Sequence, residues 1–300
     1  MSETRAHISE FDHDASLPSG APWSRIGLPA LLLALVLTAV YWTILRDLGR
    51  QWWSDENYQH GFLVPLFSAF AVWRERHALR RLELVGTWRG LPVLLAGLGI
   101  LLLGDIGAEN FLMRSSLIWV LAGLILLHLG VKIFRAVLFP LGYLIFMVPL
   151  PAILFYAVTF PLQNLAAQQA AWTLDLLGVP VLLDGNIIHL SQISLGVTEA
   201  CSGIRSLISL LAGAVAWAYL MLPLGWLTVL FVVSAIPITI FANAARVVAT
   251  GLIGQWFGVE YASGFFHEFA GWVVYLFAFA CLMGVHGLIQ LTRRSTRTQA

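Results

Sequence analysis

Long apolar runs, separated by short joints rich in charge, glycine or proline, set the pattern of this chain. Runs at roughly 26–46, 60–75, 90–106, 112–131, 135–150, 203–222, 225–254 and 267–291 carry few charges. A bilayer core takes about 20 apolar residues in helical form. These eight runs therefore predict transmembrane helices, the second and fifth of them short. Residues 152–178 form a further apolar stretch, interrupted by Gln163, Asn164, Gln168, Gln169 and Asp175. Such groups are costly in lipid, so the stretch predicts an amphipathic helix, at the membrane surface or buried in the bundle. The pattern changes once more in "VLLDGNIIHLSQISLGVTEAC", where Asp184-Gly185 sits between two β-prone runs. That is a hairpin signal. The expected fold is an all-α polytopic membrane protein of about eight transmembrane helices, with an amphipathic helix and a small β-hairpin on the periplasmic side.

Composition agrees. Of 300 residues, 59% are hydrophobic and 11% charged, with a mean hydropathy of +0.82. A soluble domain carries about 25% charged residues. A formal net charge of +1 gives no footing for nucleic-acid binding. Residues 1–24 hold Glu3, Glu10, Asp12 and Asp14 and lack an apolar signal core, so they read as a disordered tail. Residues 25–292 then form a single transmembrane domain, and 293–300 a basic tail.

Charge sets the orientation. The joint with Arg74, Arg76, Arg80, Arg81 and Arg89 and the tail with Arg293, Arg294 and Arg297 are expected in the cytoplasm, as are Lys132 and Arg135. The joints with Asp47, Asp55 and Glu56, and with Asp105 and Glu109, are expected outside. Both termini then lie inside, the number of crossings is even, and 152–178 does not cross. Residues 149–201 fall on the outer side.

That topology brings three chemically active groups to one depth. Cys201 stands at the outer end of the sixth run, Arg246 near the outer end of the seventh, and His267 at the outer start of the eighth. A thiol attacks as thiolate, which a nearby cation favours. Histidine moves protons near neutral pH, and arginine can hold a carbonyl oxygen or the oxyanion that develops from it. Together they suit acyl transfer through a thioester. Ser202 and Gly203 follow the cysteine at a helix start, where free N–H groups favour an anion. Arg205 is a second cation, and Asn243 lies on the same helical side as Arg246. Asn243 could orient Arg246 or His267, or join two helices by a hydrogen bond. Glu199 and Glu268 flank the cysteine and the histidine.

Each residue also has a plainer reading. Cys201 could be a small apolar filler, as Cys281 is read to be. His267 could be an interfacial polar group, Arg205 could reach to the surface, and Arg246 could pair with Glu260 or Glu268. Cys201 and Cys281 make no CxxC, and no HExxH or GxSxG motif occurs. No metal, cofactor or disulfide is expected.

"TEACSGIRSL", "NAARVVATG" and "FHEFAGW", in that order and spacing, resemble the exosortases. So do "WWSDENYQHGFLVPLFSAFAVWRER", "MVPLPAILFYAVTFPLQNLAAQ" and "LLGVPVLLDGNIIHL". The early block reads "YQHG" where that family is expected to carry a serine before the histidine. The resemblance runs from about Trp42 to about Val274. It implies a cysteine peptidase or transpeptidase of the bacterial inner membrane, with catalytic residues matching Cys201, Arg246 and His267. It also implies the substrates: secreted proteins ending in a Pro-Glu-Pro motif, a membrane helix and a basic tail. These would be cut at the periplasmic face and passed to an acceptor linked to exopolysaccharide or the envelope. Membrane lipids are the other partner, and Arg205 is the candidate cation for the motif's glutamate. Two rival readings remain, a non-catalytic exopolysaccharide assembly factor and a transporter. A transporter would place ionisable groups at several depths, whereas here they gather near one face.

Overall fold

The computed structural model describes residues 27–198, 201–258 and 265–298, with side chains described for 27–198, 201–258 and 271–293. The 1–24 tail, Glu199, Glu260 and the side chains of His267 and Glu268 lie outside the described residues. Ten helices are described: α1 Gly27–Ser54, α2 Leu63–Arg74, α3 Arg76–Leu79, α4 Gly90–Ile106, α5 Asn110–His128, α6 Gly130–Tyr143, α7 Ala152–Leu176, α8 Ile204–Met221, α9 Trp226–Phe257 and α10 Phe265–Thr298. The protein is an all-α, multi-pass membrane protein. Among the described residues, six helical stretches are long and apolar enough to cross a bilayer: 27–54, 110–128, 130–147, 204–221, 226–257 and 271–293. The other two predicted spans are shorter. α4 has 17 residues, and α2 has 12, preceded by a 3₁₀ helix at Glu56–Phe62. At 1.5 Å per residue α2 alone is about 18 Å long.

The described residues cluster into two compact units, one of residues 27–151 and one of 152–298. In the first, α4 and α5 lie backbone to backbone. Gly90, Gly97 and Gly104 recur every seven residues along one side of α4, and all are buried. A Cβ on Gly97 would stand 2.8 Å from the Val120 amide nitrogen, and one on Gly104 would stand 2.7 Å from that of Met113. Gly123 answers from α5, where a Cβ would lie 2.5 Å from the Leu94 amide nitrogen. Such stripes let membrane helices approach where no side chain would fit. Gly123→Val is expected to lower the thermal transition of the detergent-solubilised protein by the cost of overpacking, about 1–3 kcal/mol. Gly99→Ala, at a position with nothing within 4 Å of the new Cβ, is expected to leave it unchanged or raise it.

Polar ties join α1 to α5 in the same unit. Tyr41, fully buried, shares a 2.8 Å hydrogen bond with Ser116, and buried Arg114 donates to Gln51 Oε1 at 2.6 Å. Much of the rest of α1 is exposed leucine, valine and tryptophan, the surface a lipid-facing helix presents.

In the second unit α8, α9 and α10 form a bundle around Leu210, Ala214, Ala218, Phe231, Ala235 and Leu282. The stretch predicted as amphipathic is one 25-residue helix, α7, which packs on α9 and the strands. Its buried side reads Phe155, Thr159, Gln163, Ala166, Ala167, Ala170 and Leu174. Asn164, Gln168 and Asp175 are exposed. The predicted hairpin is a three-stranded antiparallel sheet: β1 Val181–Asp184, β2 Ile187–Leu190 and β3 Ser194–Gly196, in that order. Its first turn sits one residue later than the sequence suggested. Asp184 pairs with Ile187, so Gly185 and Asn186 make the turn, and Gly185 supplies the positive φ of 59°. Ile188, Leu190, Ile193 and Val197 press the sheet onto Ala166, Ala170, Val247 and Val248.

Candidate active site

The sheet delivers the chain to Cys201. Asn186 holds the exit of β3 from both sides. Its Nδ2 donates to Val197 O at 2.9 Å, and its carbonyl accepts from Val197 N at 2.8 Å. Cys201 N then donates to Thr198 O at 2.9 Å. Gly251 on α9 leaves room for this packing, since a Cβ there would meet Leu174 at 3.2 Å and Leu195 at 3.3 Å. Half-buried Cys201 packs against this apolar cluster.

The next two residues turn the chain into α8. Ser202 is buried, and its Oγ accepts from Ile204 N at 3.2 Å. The hydroxyl thus serves a free amide of the helix start. Gly203 is the N-cap with φ of 82°, a left-handed conformation that disfavours a side chain. A Cβ there would also stand 3.0 Å from Asn243 Cγ.

Helix lengths account for the depth at which the groups meet. α8 runs 18 residues from Ile204 to Met221, about 27 Å at 1.5 Å per residue. A short joint reverses the chain at Gly225. Arg246 lies twenty residues beyond the start of α9 at Trp226, about 30 Å back along the return helix. The start of α8, beside Cys201, and this point of the return helix therefore lie at one level. Arg246 is half-buried, with its Nε withdrawn from solvent, and lies within electrostatic reach of both Cys201 and Arg205. Arg205, in the first turn of α8, is also half-buried. One thiol and two guanidinium groups in one place favour negative charge there.

Asn243 is 3% exposed, and its Nδ2 donates to Cys201 O at 2.7 Å. This bond joins α9 to the turn that precedes α8. α10 contributes Gly271, where a Cβ would lie 3.9 Å from the Arg246 guanidinium carbon. His267 belongs to the same helix, one turn earlier. The structure thus gathers Cys201, Ser202, Gly203, Arg205, Asn243 and Arg246 at one end of the bundle. Asn186 and Gly251 are supports that sequence reasoning passed over. Asn186 was legible as the second residue of a Gly-Asn turn, whereas Gly251 carried no local signal.

Behind the turn is a cavity of about 10 Å³ lined by Leu162, Ser202, Gly203, Leu207, Thr239 and Ile240. It holds roughly one water. Among the described residues no three His, Cys, Asp or Glu side chains converge as a metal-binding group.

A family model described as transmembrane exosortase (Exosortase_EpsH) matches residues 52–284. No curated protein and no solved structure matches the chain.

Proposed function

The chain belongs to the transmembrane exosortase family, and from that premise we propose that it is a cysteine transpeptidase acting through Cys201, Arg246 and His267. Family membership supports a membrane protein-sorting transpeptidase in general. The finer reading has four steps. A secreted protein carrying a C-terminal Pro-Glu-Pro motif, a membrane helix and a basic tail docks its helix against the bundle. Cys201 Sγ, as thiolate, bonds to the carbonyl carbon at the sorting motif, and Arg246 holds the oxyanion. The C–N bond breaks, His267 protonates the leaving amine, and the helix remains in the membrane. An amine acceptor of the envelope or its exopolysaccharide, or water, then attacks the thioester and restores the thiol.

We place this site at the periplasmic face of the inner membrane, with both termini cytoplasmic. A sorting helix with a basic cytoplasmic end carries its motif just beyond the outer leaflet, the depth this topology assigns to Cys201. Arg205 is the cation for the motif's glutamate.

The observation that carries the reading is the meeting of Cys201 and Arg246, brought from separate elements to one level of the bundle. The test is capture of the intermediate. Incubation with a tagged sorting-signal substrate, quenched in acid, is expected to leave the N-terminal fragment of the substrate on the Cys201 peptide, seen by mass spectrometry. His267→Ala is expected to slow release of the cut helix about 10²-fold, the loss typical of a positioned acid. Full processing with no adduct on Cys201 under any quench would refute the thioester route.

A further inference from the structure

Asn243 offers two contacts to the cysteine turn, and they act in different ways. The first is directional: Nδ2 donates to the Cys201 carbonyl at 2.7 Å. The second is steric: Gly203 approaches Asn243 so closely that a Cβ would fall 3.0 Å from Cγ and 3.1 Å from Cβ. The turn is thus clasped at its first residue by a hydrogen bond and at its third by contact. Asn243 is buried and stands on α9 three residues before Arg246, on the same side of that helix.

We propose that Asn243 is a positioning residue, which seats the Cys201–Gly203 turn on α9 and so sets where the thiol stands relative to Arg246. The inference rests on the reading of Cys201 as nucleophile. Each end of the link is tied to its surroundings. Val247 and Val248 anchor α9 beside Asn243 in the core under the sheet, and the Asn186–Val197 pair holds the incoming chain. Along its own chain the turn is flanked by Val197 before it and Ile204 after it, both nearly fully buried. Loss of Asn243 Nδ2 removes the hydrogen bond that ties this turn to α9. A displacement of about 1 Å at a reacting atom can cost 10²-fold in rate.

The test uses the full-length protein in detergent with the tagged substrate. Asn243→Asp keeps the shape that Gly203 packs against and loses the N–H₂ donor; Asn243→Ala loses both. If Asn243 positions the thiol through its donor, both variants lose about 10²-fold in kcat, with KM and thermal transition within twofold and a few degrees of wild type. An Asp variant that turns over at the wild-type rate overturns the proposal, because packing alone would then suffice. So does an Asp variant whose loss of turnover only follows loss of folded protein. Should Cys201→Ala process the substrate at the wild-type rate, the reading of the nucleophile fails instead, and the two failures are distinct.

Discussion

Cys201→Ala is expected to leave the tagged sorting-signal substrate uncut, a loss on the order of 10⁴-fold or more, as when other covalent enzymes lose their nucleophile. In the proposed scheme the sulfur forms the acyl bond. Ser202 is no substitute, since its hydroxyl is buried and already accepts from Ile204 N. Cys201→Ser keeps a nucleophilic atom of similar size, but a hydroxyl ionises far less readily than a thiol, so it too is expected to fail. Cys281→Ala supplies the control. That residue is half-buried on α10 beside Ala280 and Leu282, and its loss is expected to leave processing unchanged. The measurement is the ratio of cut to uncut substrate on a gel, with membrane content of each variant held equal. Wild-type processing by Cys201→Ala would end the peptidase reading and favour an assembly role, which is indifferent to thiol chemistry.

Arg246→Ala is expected to lower kcat about 10³-fold, the upper part of the range for removing one oxyanion donor. Arg246→Lys recovers only part of that loss, because an ammonium is a point charge without the guanidinium fork. The same substitution separates catalysis from structure. A cation within an apolar helix costs about 2.5–3.5 kcal/mol on insertion scales, and Arg246 has a second cation, Arg205, within electrostatic reach. Arg246→Leu is therefore expected to keep or raise the thermal transition while activity is lost. This is the trade between stability and function that active sites display. A variant that loses activity only because it unfolds would make Arg246 a structural residue.

Much of the framework is legible in the chain itself. A helix that faces lipid must bury its polar backbone and expose apolar side chains, so length and apolarity alone locate it. That is why the eight predicted runs fall on α1, α2, α4, α5, α6, α8, α9 and α10. The β segment was visible because a turn between β-prone runs is a local property. The exact turn was not. Asp184-Gly185 and Gly185-Asn186 are both acceptable turn pairs, and the choice came from which strand face met Ala166 and Ala170 on α7. The third strand, at Ser194–Gly196, had too few residues to stand out from its loop. The heptad of Gly90, Gly97 and Gly104 was written in the sequence, yet its meaning depended on Gly123 and Val120 of a partner helix.

The sequence by itself determined that this is a membrane bundle, where its helices run, and which residue types with reactive chemistry stand near their ends. These follow from hydrophobicity and chain length, which act residue by residue. Only the tertiary structure decided that Asn243 holds the Cys201 carbonyl, that Gly203 turns left-handed against it, and that Arg246 faces Gly271 on α10. Those contacts join positions 25 to 42 residues apart, and a hydrogen bond or close approach is selected by the packing of whole helices, a property that no single stretch of sequence carries.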